Sequence, residues 1–133
     1  MYPIEIIKHI YLSNYYNIKL DILIKLNIKA IINLSQIKFE YFNFEYLEIN
    51  VFDDENSNIS KFFHTTNKFI INNLIKNNNI LIYCFEGKSR SPTIILAFLI
   101  KKRKYNYEDA INLIKSKTKI DINEGFINQL KNI

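Results

Sequence analysis

Apolar positions along the chain follow two different periods, and together they predict alternating strands and helices. Short continuous apolar runs, such as "IKAIINLS" and "ILIYC", are typical of strands that are buried within a sheet. They predict strands over residues 9–13, 28–35, 44–52 and 80–84. Because helical segments separate these strands, we expect an α/β fold in which helices flank a central, mostly parallel sheet of about four to five strands.

Between the predicted strands, apolar side chains recur at three- and four-residue intervals, which indicates amphipathic helices. One such stretch starts at Ser60, whose side chain is suited to cap a helix N-terminus, and reaches Leu74. Asn106 is the predicted cap of a later helix. The run over residues 91–102 is apolar nearly all round and predicts a helix in the middle of the domain. Further helices are predicted over residues 18–27, 107–118 and 123–132.

The composition is typical of a soluble globular domain, since 48% of the 133 residues are hydrophobic and 23% are charged. This length predicts a single domain over residues 1–133. The longest apolar run, Thr93–Ile100, is too short to cross a bilayer, and "MYPIEIIKHI" lacks the pattern of a secretory signal. The single cysteine excludes an internal disulfide and suits a reducing compartment, so we expect a cytoplasmic protein.

The net charge of +5 does not by itself indicate a nucleic-acid partner. Lysines are spread along the whole chain, and only residues 101–104 form a cluster. That cluster lies at the end of a predicted helix, where cations complement the helix dipole. We therefore expect neither a nucleic-acid nor a membrane partner.

The segment "LIYCFEGKSRSPTIIL" contains the only cysteine of the chain, Cys84, between a predicted strand and a predicted helix. Gly87 lets the loop curl without a side chain inside the curve, so successive N–H groups and the helix N-terminus can form a cradle for an anion. Arg90 adds a planar fork for phosphate oxygens, and the positive field of such a cradle favours the thiolate form of a cysteine. The C-x-x-G-x-S-R-S pattern therefore predicts a nucleophile inside a phosphate-binding loop.

The same loop resembles the signature of a known family. "YCFEGKSRSPT" is similar to the H-C-x-x-G-x-x-R-S/T signature of the cysteine-dependent protein tyrosine phosphatases, in the S-R-S form of the dual-specificity branch. The resemblance covers nearly the whole chain, from "IYLSNYYNIKLDILIKLNIKAIINLS" to "EGFINQL". It is closest to the small poxviral members in "IYLSNYYN" and "VFDDENSNISKFF". It implies the fold of the dual-specificity phosphatases.

The resemblance also implies a role for each matching residue. Cys84 would be the nucleophile that forms a cysteinyl-phosphate, and Ser91 would help the thiolate to leave. Asp53 would be the general acid that protonates the leaving oxygen and then activates water. The phosphoryl oxygens would be held by Arg90 and by the backbone of Phe85, Glu86, Gly87, Lys88 and Ser89. The family's reaction needs no metal and no organic cofactor.

Tyr83 departs from the family pattern, which has histidine immediately before the cysteine. Because that histidine orders the loop, we expect the tyrosine to affect the rate more than the type of reaction. Asp54 is the alternative to Asp53 as the acid, since the two are adjacent. His9 and His64 are distant from the loop in sequence, and we expect both to be structural.

The expected function is the hydrolysis of phosphotyrosine and of phosphoserine or phosphothreonine in proteins. An RNA 5′-triphosphate or a phosphoinositide is an alternative substrate, although a single lysine, Lys88, beside the acidic Glu86 favours protein substrates. A phosphoprotein-binding protein without turnover is the alternative of a different class, and Tyr83 is the feature in its favour. We expect a monomer, because the chain begins almost directly at the first strand.

Overall fold

A five-stranded sheet forms the middle of the structure and determines where the cysteine-containing loop lies. The computed structural model describes residues 2–41 and 43–133. The strands are β1 (Ile4–Ile7), β2 (Ile10–Asn14), β3 (Ile28–Asn33), β4 (Glu45–Glu48) and β5 (Asn79–Cys84), in the spatial order β1-β2-β5-β3-β4. β1 pairs antiparallel with β2, and the other three pairings are parallel, which confirms the predicted α/β sheet.

The helices also follow the predicted order. They are α1 (Leu20–Lys25), α2 (Phe63–Ile75), α3 (Arg90–Lys102), α4 (Tyr107–Lys117) and α5 (Glu124–Lys131), with short 3₁₀ segments over Tyr15–Asn17 and Ser60–Phe62. α3 is buried from Ser91 to Leu99, as expected for a helix that is apolar nearly all round. Asn106 caps α4 as predicted, because its side chain accepts a hydrogen bond of 2.8 Å from the Asp109 N–H.

The N-terminal part of the sheet differs from the prediction. The apolar pattern makes residues 9–13 the first strand, whereas β1 precedes it and adds an antiparallel edge. The turn between β1 and β2 contains His9 at a φ of 74°, a left-handed conformation that favours glycine or asparagine. Because the turn has neither of these residues, the sequence gives no turn signal between the two strands. His9 is held instead by Asn79, whose side-chain oxygen lies 2.6 Å from His9 Nδ1.

The structure also corrects the extent of one predicted strand and the start of one predicted helix. The strand predicted over residues 44–52 is confined to β4, although Ile49 and Val51 beyond it are buried. Ser60 is not a helix cap, since it is the first residue of a 3₁₀ segment and makes no capping hydrogen bond. Asn58 lies before this segment, and its side-chain oxygen accepts from Ser60 Oγ at 2.8 Å and from the Lys61 N–H at 3.3 Å.

The side chains of β5 divide between the two faces of the sheet, and this division matters for the site. Ile80, Ile82 and Cys84 face the larger core, which α2 to α5 cover. Leu81 and Tyr83 face a smaller core on the other side, where they pack with Leu23 of α1 and with Ile28 and Ile31 of β3. Since Cys84 ends β5 and α3 starts at Arg90, the loop between them lies at the carboxyl edge of the parallel strands.

Candidate active site

A pocket of about 370 Å³ opens at this carboxyl edge of the sheet. It brings together most of the residues that the sequence singled out, although they come from separate parts of the chain. The lining residues are Asp53, Cys84, Phe85, Glu86, Lys88, Ser89, Arg90 and Asp121. The geometry thus combines a thiol, a guanidinium and carboxylates in one small, solvent-connected space.

Cys84 lines the pocket, although the residue is only 2% exposed. The Gly87 N–H donates a hydrogen bond of 3.2 Å to Cys84 Sγ. Ser91 Oγ lies 3.1 Å from the same sulfur, from the first turn of α3. Hydrogen-bond donors that converge on a sulfur stabilise negative charge there.

Gly87 allows the loop to turn back toward the cysteine. Gly87 is buried and has a φ of 75°, a backbone conformation that residues with a side chain rarely adopt. A β-carbon at this position would also lie only 3.0 Å from the Ser13 carbonyl oxygen. One of the two glycines of the chain is therefore required by the curl of the loop.

The other glycine serves the same region. A β-carbon on Gly125, in the first turn of α5, would lie 2.1 Å from the carbonyl oxygen of Glu55. The absence of a side chain thus lets α5 contact the backbone of the acidic loop after β4. This close approach holds the "DDE" segment, residues 53–55, next to the start of α5.

Arg90 is held in place by the backbone of two neighbouring segments. Its Nη1 donates to the Leu34 carbonyl at 2.9 Å and to the Val51 carbonyl at 3.2 Å. Its Nε is buried and has no hydrogen-bond partner among the described residues. Buried N–H groups are nearly always paired, so an unpaired one stands out in a residue that lines the pocket.

The two adjacent aspartates, Asp53 and Asp54, are placed differently. Asp53 lines the pocket, and its Oδ1 accepts a hydrogen bond of 2.8 Å from Asn123 Nδ2. Asp54 is turned into its own loop, where its Oδ1 accepts from the Asn56 N–H at 2.9 Å and from Ser57 Oγ at 3.1 Å. Only Asp53 of this pair has its carboxylate available at the pocket.

Asp121 and Asn123 also belong to the site, although both lie outside the cysteine motif and neither was expected there from the sequence. Asp121 lines the pocket, and its N–H donates to the Lys88 carbonyl at 2.9 Å. Asn123 connects three elements, since it bonds Asp53, donates its N–H to Ser89 Oγ at 3.2 Å and caps α5. The sequence shows Asn123 only as a residue before a helix, and nothing local to it indicates that this segment crosses the phosphate loop.

Tyr83 lies on the opposite face of the sheet from the Cys84 side chain. It is 1% exposed, and burial raises the pKa of its phenol well above the usual value of 10.0, an effect that the Ser35 side chain partly opposes. The Tyr83 carbonyl accepts a hydrogen bond of 2.8 Å from the Leu34 N–H. The tyrosine therefore packs in the small core and does not point into the pocket.

The remaining candidates lie elsewhere. His9 is in the β1–β2 turn, and His64 is an exposed residue of α2, so neither lines this pocket. Within residues 2–41 and 43–133, no three His, Cys, Asp or Glu side chains are grouped closely enough to hold a metal ion. None of the helices in these ranges has the length and apolar character needed to span a membrane.

Comparison with known proteins places this architecture in a family. Residues 10–133 match the catalytic domain of the dual specificity phosphatases. The putative tyrosine phosphatase 123R of invertebrate iridescent virus 6 is 31% identical over 132 residues, which cover 98% of this chain and 90% of the viral protein. The protein phosphatase Slingshot of Drosophila melanogaster is 29% identical over 97% of this chain, but the chain spans only 13% of its length.

A solved structure gives the same result for the fold. The human tyrosine phosphatase-like serine/threonine/tyrosine-interacting protein superposes with a TM-score of 0.91 at 28% sequence identity, over 97% of this chain and 93% of the human one. Together with the match over nearly all of its residues, this similarity shows that the chain belongs to the dual specificity phosphatase family and has its catalytic-domain fold.

Proposed function

We propose that this protein removes phosphate from phosphotyrosine and from phosphoserine or phosphothreonine in proteins, through a cysteinyl-phosphate on Cys84. The observation that carries the proposal is the arrangement within one pocket. The Cys84 sulfur accepts a hydrogen bond from Gly87, and Arg90, whose buried Nε has no partner in the described part of the chain, lines the same pocket. A nucleophile and an oxyanion site are therefore adjacent, as attack on a phosphate monoester requires.

In the first step, the Cys84 thiolate attacks phosphorus, an S–P bond forms and the bond from phosphorus to the ester oxygen breaks. The departing oxygen takes a proton from the Asp53 carboxyl group, so a neutral alcohol or phenol leaves. Asp53 is suited to this role because its side chain lines the pocket and is oriented by Asn123. Arg90 and the loop N–H groups bind the three remaining phosphoryl oxygens throughout.

In the second step, water attacks the phosphoryl group and the S–P bond breaks. Asp53, now a carboxylate, accepts a proton from that water, and inorganic phosphate is formed. The electron pair of the S–P bond returns to sulfur as a thiolate. Ser91 supports this departure, since its hydroxyl lies 3.1 Å from Sγ and can donate to the developing charge.

The charges at the pocket favour protein substrates over polyanions. Three carboxylates, from Asp53, Glu86 and Asp121, share the lining with the two cations Lys88 and Arg90. One phosphate group can use Arg90 and the loop backbone, whereas the further phosphates of an RNA 5′-triphosphate or a phosphoinositide would face carboxylates. Phosphorylated protein segments, which present one phosphate at a time, are the substrates that this arrangement suits.

A phosphoprotein-binding protein without turnover is the rival proposal. One structural relative is described as phosphatase-like and as an interacting protein, so the fold alone does not separate binding from catalysis. Turnover requires a nucleophile and a pocket-facing acid, and here Cys84 and Asp53 line the same pocket. The presence of these two residues in one pocket supports the proposal that the protein is an enzyme.

A reducing compartment, such as the cytoplasm, suits this chemistry because the thiolate must stay reduced to act. The monomeric state, the absence of nucleic-acid and membrane partners, and activity without a metal or cofactor stay predictions. Activity in the presence of a chelator, and the mass in solution by sedimentation equilibrium, would test two of them directly.

The function is tested by assaying wild type and Cys84→Ser with p-nitrophenyl phosphate, phosphotyrosine and phosphoserine peptides, an RNA 5′-triphosphate and a phosphoinositide. We expect the wild type to hydrolyse both kinds of phosphopeptide and Cys84→Ser to hydrolyse none of the substrates, since a serine alkoxide is not available at neutral pH. Binding of phosphopeptide without hydrolysis by the wild type would support the rival. Faster hydrolysis of the RNA or the lipid would contradict the substrate assignment.

A further inference from the structure

Tyr2 is far from the cysteine motif in sequence, yet its side chain contacts the phosphate loop. Its hydroxyl donates a hydrogen bond of 3.2 Å to the carbonyl oxygen of Gly87, 85 positions further along the chain. The tyrosine ring also packs against that glycine, because a β-carbon on Gly87 would lie 3.1 Å from Tyr2 Cζ. The segment that leads into β1 thus reaches the loop that surrounds Cys84.

The Tyr2 hydrogen bond belongs to a set that holds the loop from outside. Several loop carbonyls accept hydrogen bonds from residues beyond the loop. These bonds run from Tyr15 N–H to Phe85 O at 3.0 Å, from Tyr2 Oη to Gly87 O at 3.2 Å, from Asp121 N–H to Lys88 O at 2.9 Å, and from Thr93 N–H and Oγ1 to Ser89 O at 3.0 and 2.7 Å. The loop backbone is therefore fixed by donors on its outer side.

Fixing a carbonyl also fixes the N–H of the next residue. The peptide group is planar and trans, so a C=O and the following N–H point in opposite directions. A donor that holds the Gly87 carbonyl outward therefore directs the Lys88 N–H toward the pocket. The same reasoning directs the N–H groups of Glu86, Ser89 and Arg90 inward.

The peptide after Gly87 needs such a contact more than the others. Glycine has the widest range of backbone conformations, so the peptide bond that follows it reorients most easily. The Ser89 carbonyl is held within the first turn of α3, and those of Phe85 and Lys88 are held by backbone N–H groups. The Gly87 carbonyl, by contrast, is held by a side-chain hydroxyl, which a single substitution can remove.

We propose that Tyr2 is a positioning residue for phosphate binding, and that its hydroxyl holds the Gly87–Lys88 peptide with the Lys88 N–H facing the pocket. This inference rests on the proposed function, in which phosphate occupies that pocket. Tyr2 does not touch the reacting atoms and acts only through the loop. Its contribution is therefore to phosphate affinity and to the binding of the transferred group, and it does not include proton transfer.

The test compares wild type with Tyr2→Phe, which keeps the ring and removes the hydroxyl. The inhibition constant of inorganic phosphate, and kcat/KM for p-nitrophenyl phosphate and for an alkyl phosphate, are measured for both proteins. We expect phosphate to bind roughly twofold to tenfold more weakly in Tyr2→Phe, the range typical of one lost neutral hydrogen bond. The loss in kcat/KM should be of similar size for good and poor leaving groups, because proton transfer from Asp53 is untouched. Tyr107→Phe, on α4 and away from the pocket, is the matched control and should leave all of these constants unchanged.

A second measurement uses the wild type alone and does not depend on how the variant folds. In a phosphate titration followed by NMR, the Lys88 amide should shift together with those of Ser89 and Arg90. Equal phosphate affinity in Tyr2→Phe and wild type, or a Lys88 amide that does not respond to phosphate while its neighbours do, would overturn the role of Tyr2. A wild type that neither binds phosphate nor hydrolyses p-nitrophenyl phosphate would instead overturn the proposed function itself.

Discussion

Asn123 donates a hydrogen bond of 2.8 Å to Asp53, and so connects the start of α5 to the acidic loop after β4. The same side chain accepts a hydrogen bond from the Phe126 N–H at 2.9 Å and thereby caps the helix. One residue thus stabilises α5 and orients the proposed general acid. The close approach of Gly125 to Glu55 reinforces this connection.

Asn123→Ser should separate these two roles. Serine is also a good N-terminal cap, so the helix should remain, but it has no amide donor for Asp53. We expect the melting temperature to change little and kcat to fall for substrates with poor leaving groups, which need a well-placed acid. For p-nitrophenyl phosphate, whose leaving group needs less protonation, the fall should be smaller. An equal loss on both kinds of substrate would contradict a role for Asn123 through Asp53.

The two aspartates should behave differently when each is replaced by asparagine. Asp53→Asn should lower kcat on poor leaving groups by roughly two to four orders of magnitude, because the amide cannot donate the proton. Asp54→Asn should stay near wild type, since an asparagine oxygen can still accept from the Asn56 N–H and the Ser57 hydroxyl. Steady-state kinetics with an alkyl phosphate would measure both. The reverse result would assign the acid to Asp54.

Arg90 should matter for both phosphate affinity and stability. Arg90→Lys keeps the charge but loses the planar fork, so phosphate should bind more weakly. Arg90→Ala also leaves the Leu34 and Val51 carbonyls without their donor, and the free energy of unfolding should fall by roughly 1–3 kcal/mol. Arg103→Ala, at the far end of α3, removes the same charge and is the matched control for both measurements. If Arg90→Lys bound phosphate as tightly as wild type, the bidentate contact would be excluded.

The buried phenol of Tyr83 gives a pH-dependent prediction. Its pKa is raised in the folded protein, chiefly by burial, so the unfolded chain ionises first as the pH rises. Tyr83 therefore contributes stability that is present below the usual value of 10.0 and is lost above it. Urea unfolding at neutral and strongly alkaline pH should show a larger loss for wild type than for Tyr83→Phe.

Turnover at neutral pH should be close to wild type in Tyr83→Phe, because the side chain lies on the other face of the sheet from Cys84. This substitution decides between two accounts of the missing histidine. If the hydroxyl ordered the loop, the variant would be clearly slower. The packing of Tyr83 with Leu23 and Ile31 in the small core favours the account in which the side chain only packs and the hydroxyl does not order the loop.

The local parts of the fold and site could be predicted from the sequence. The strand, loop and helix around Cys84 follow from an apolar run, a glycine and a Pro92 in the first helical turn, all of which act within a few residues. Asn106 could likewise be identified as a cap because capping is a local interaction.

The parts that depend on chain segments meeting in space could not be predicted in the same way. Asp121 and Tyr2 reach the loop only because α5 and β1 pack where they do, and neither residue has a local signal. β1 could not be predicted as a separate strand, because the turn between it and β2 depends on the positive φ of His9, which the residue type does not indicate. Ser60 has a side chain suited to capping, but it lies inside the 3₁₀ segment before α2, which its residue type does not indicate.

The central claim is that phosphate passes through a covalent bond to Cys84, and Ser91→Ala offers the most direct test. Ser91→Ala removes the hydroxyl that lies 3.1 Å from the sulfur. The second step, in which the thiolate leaves phosphorus, should therefore slow more than the first step, in which the S–P bond forms. Ser91→Ala mixed rapidly with p-nitrophenyl phosphate and quenched in acid should release a burst of nitrophenol. Mass spectrometry should then find a phosphoryl group on the peptide that contains Cys84, and Cys84→Ser should show neither the burst nor the adduct. Turnover by Cys84→Ser at the wild-type rate, with no phosphorylated peptide in either protein, would contradict the covalent mechanism.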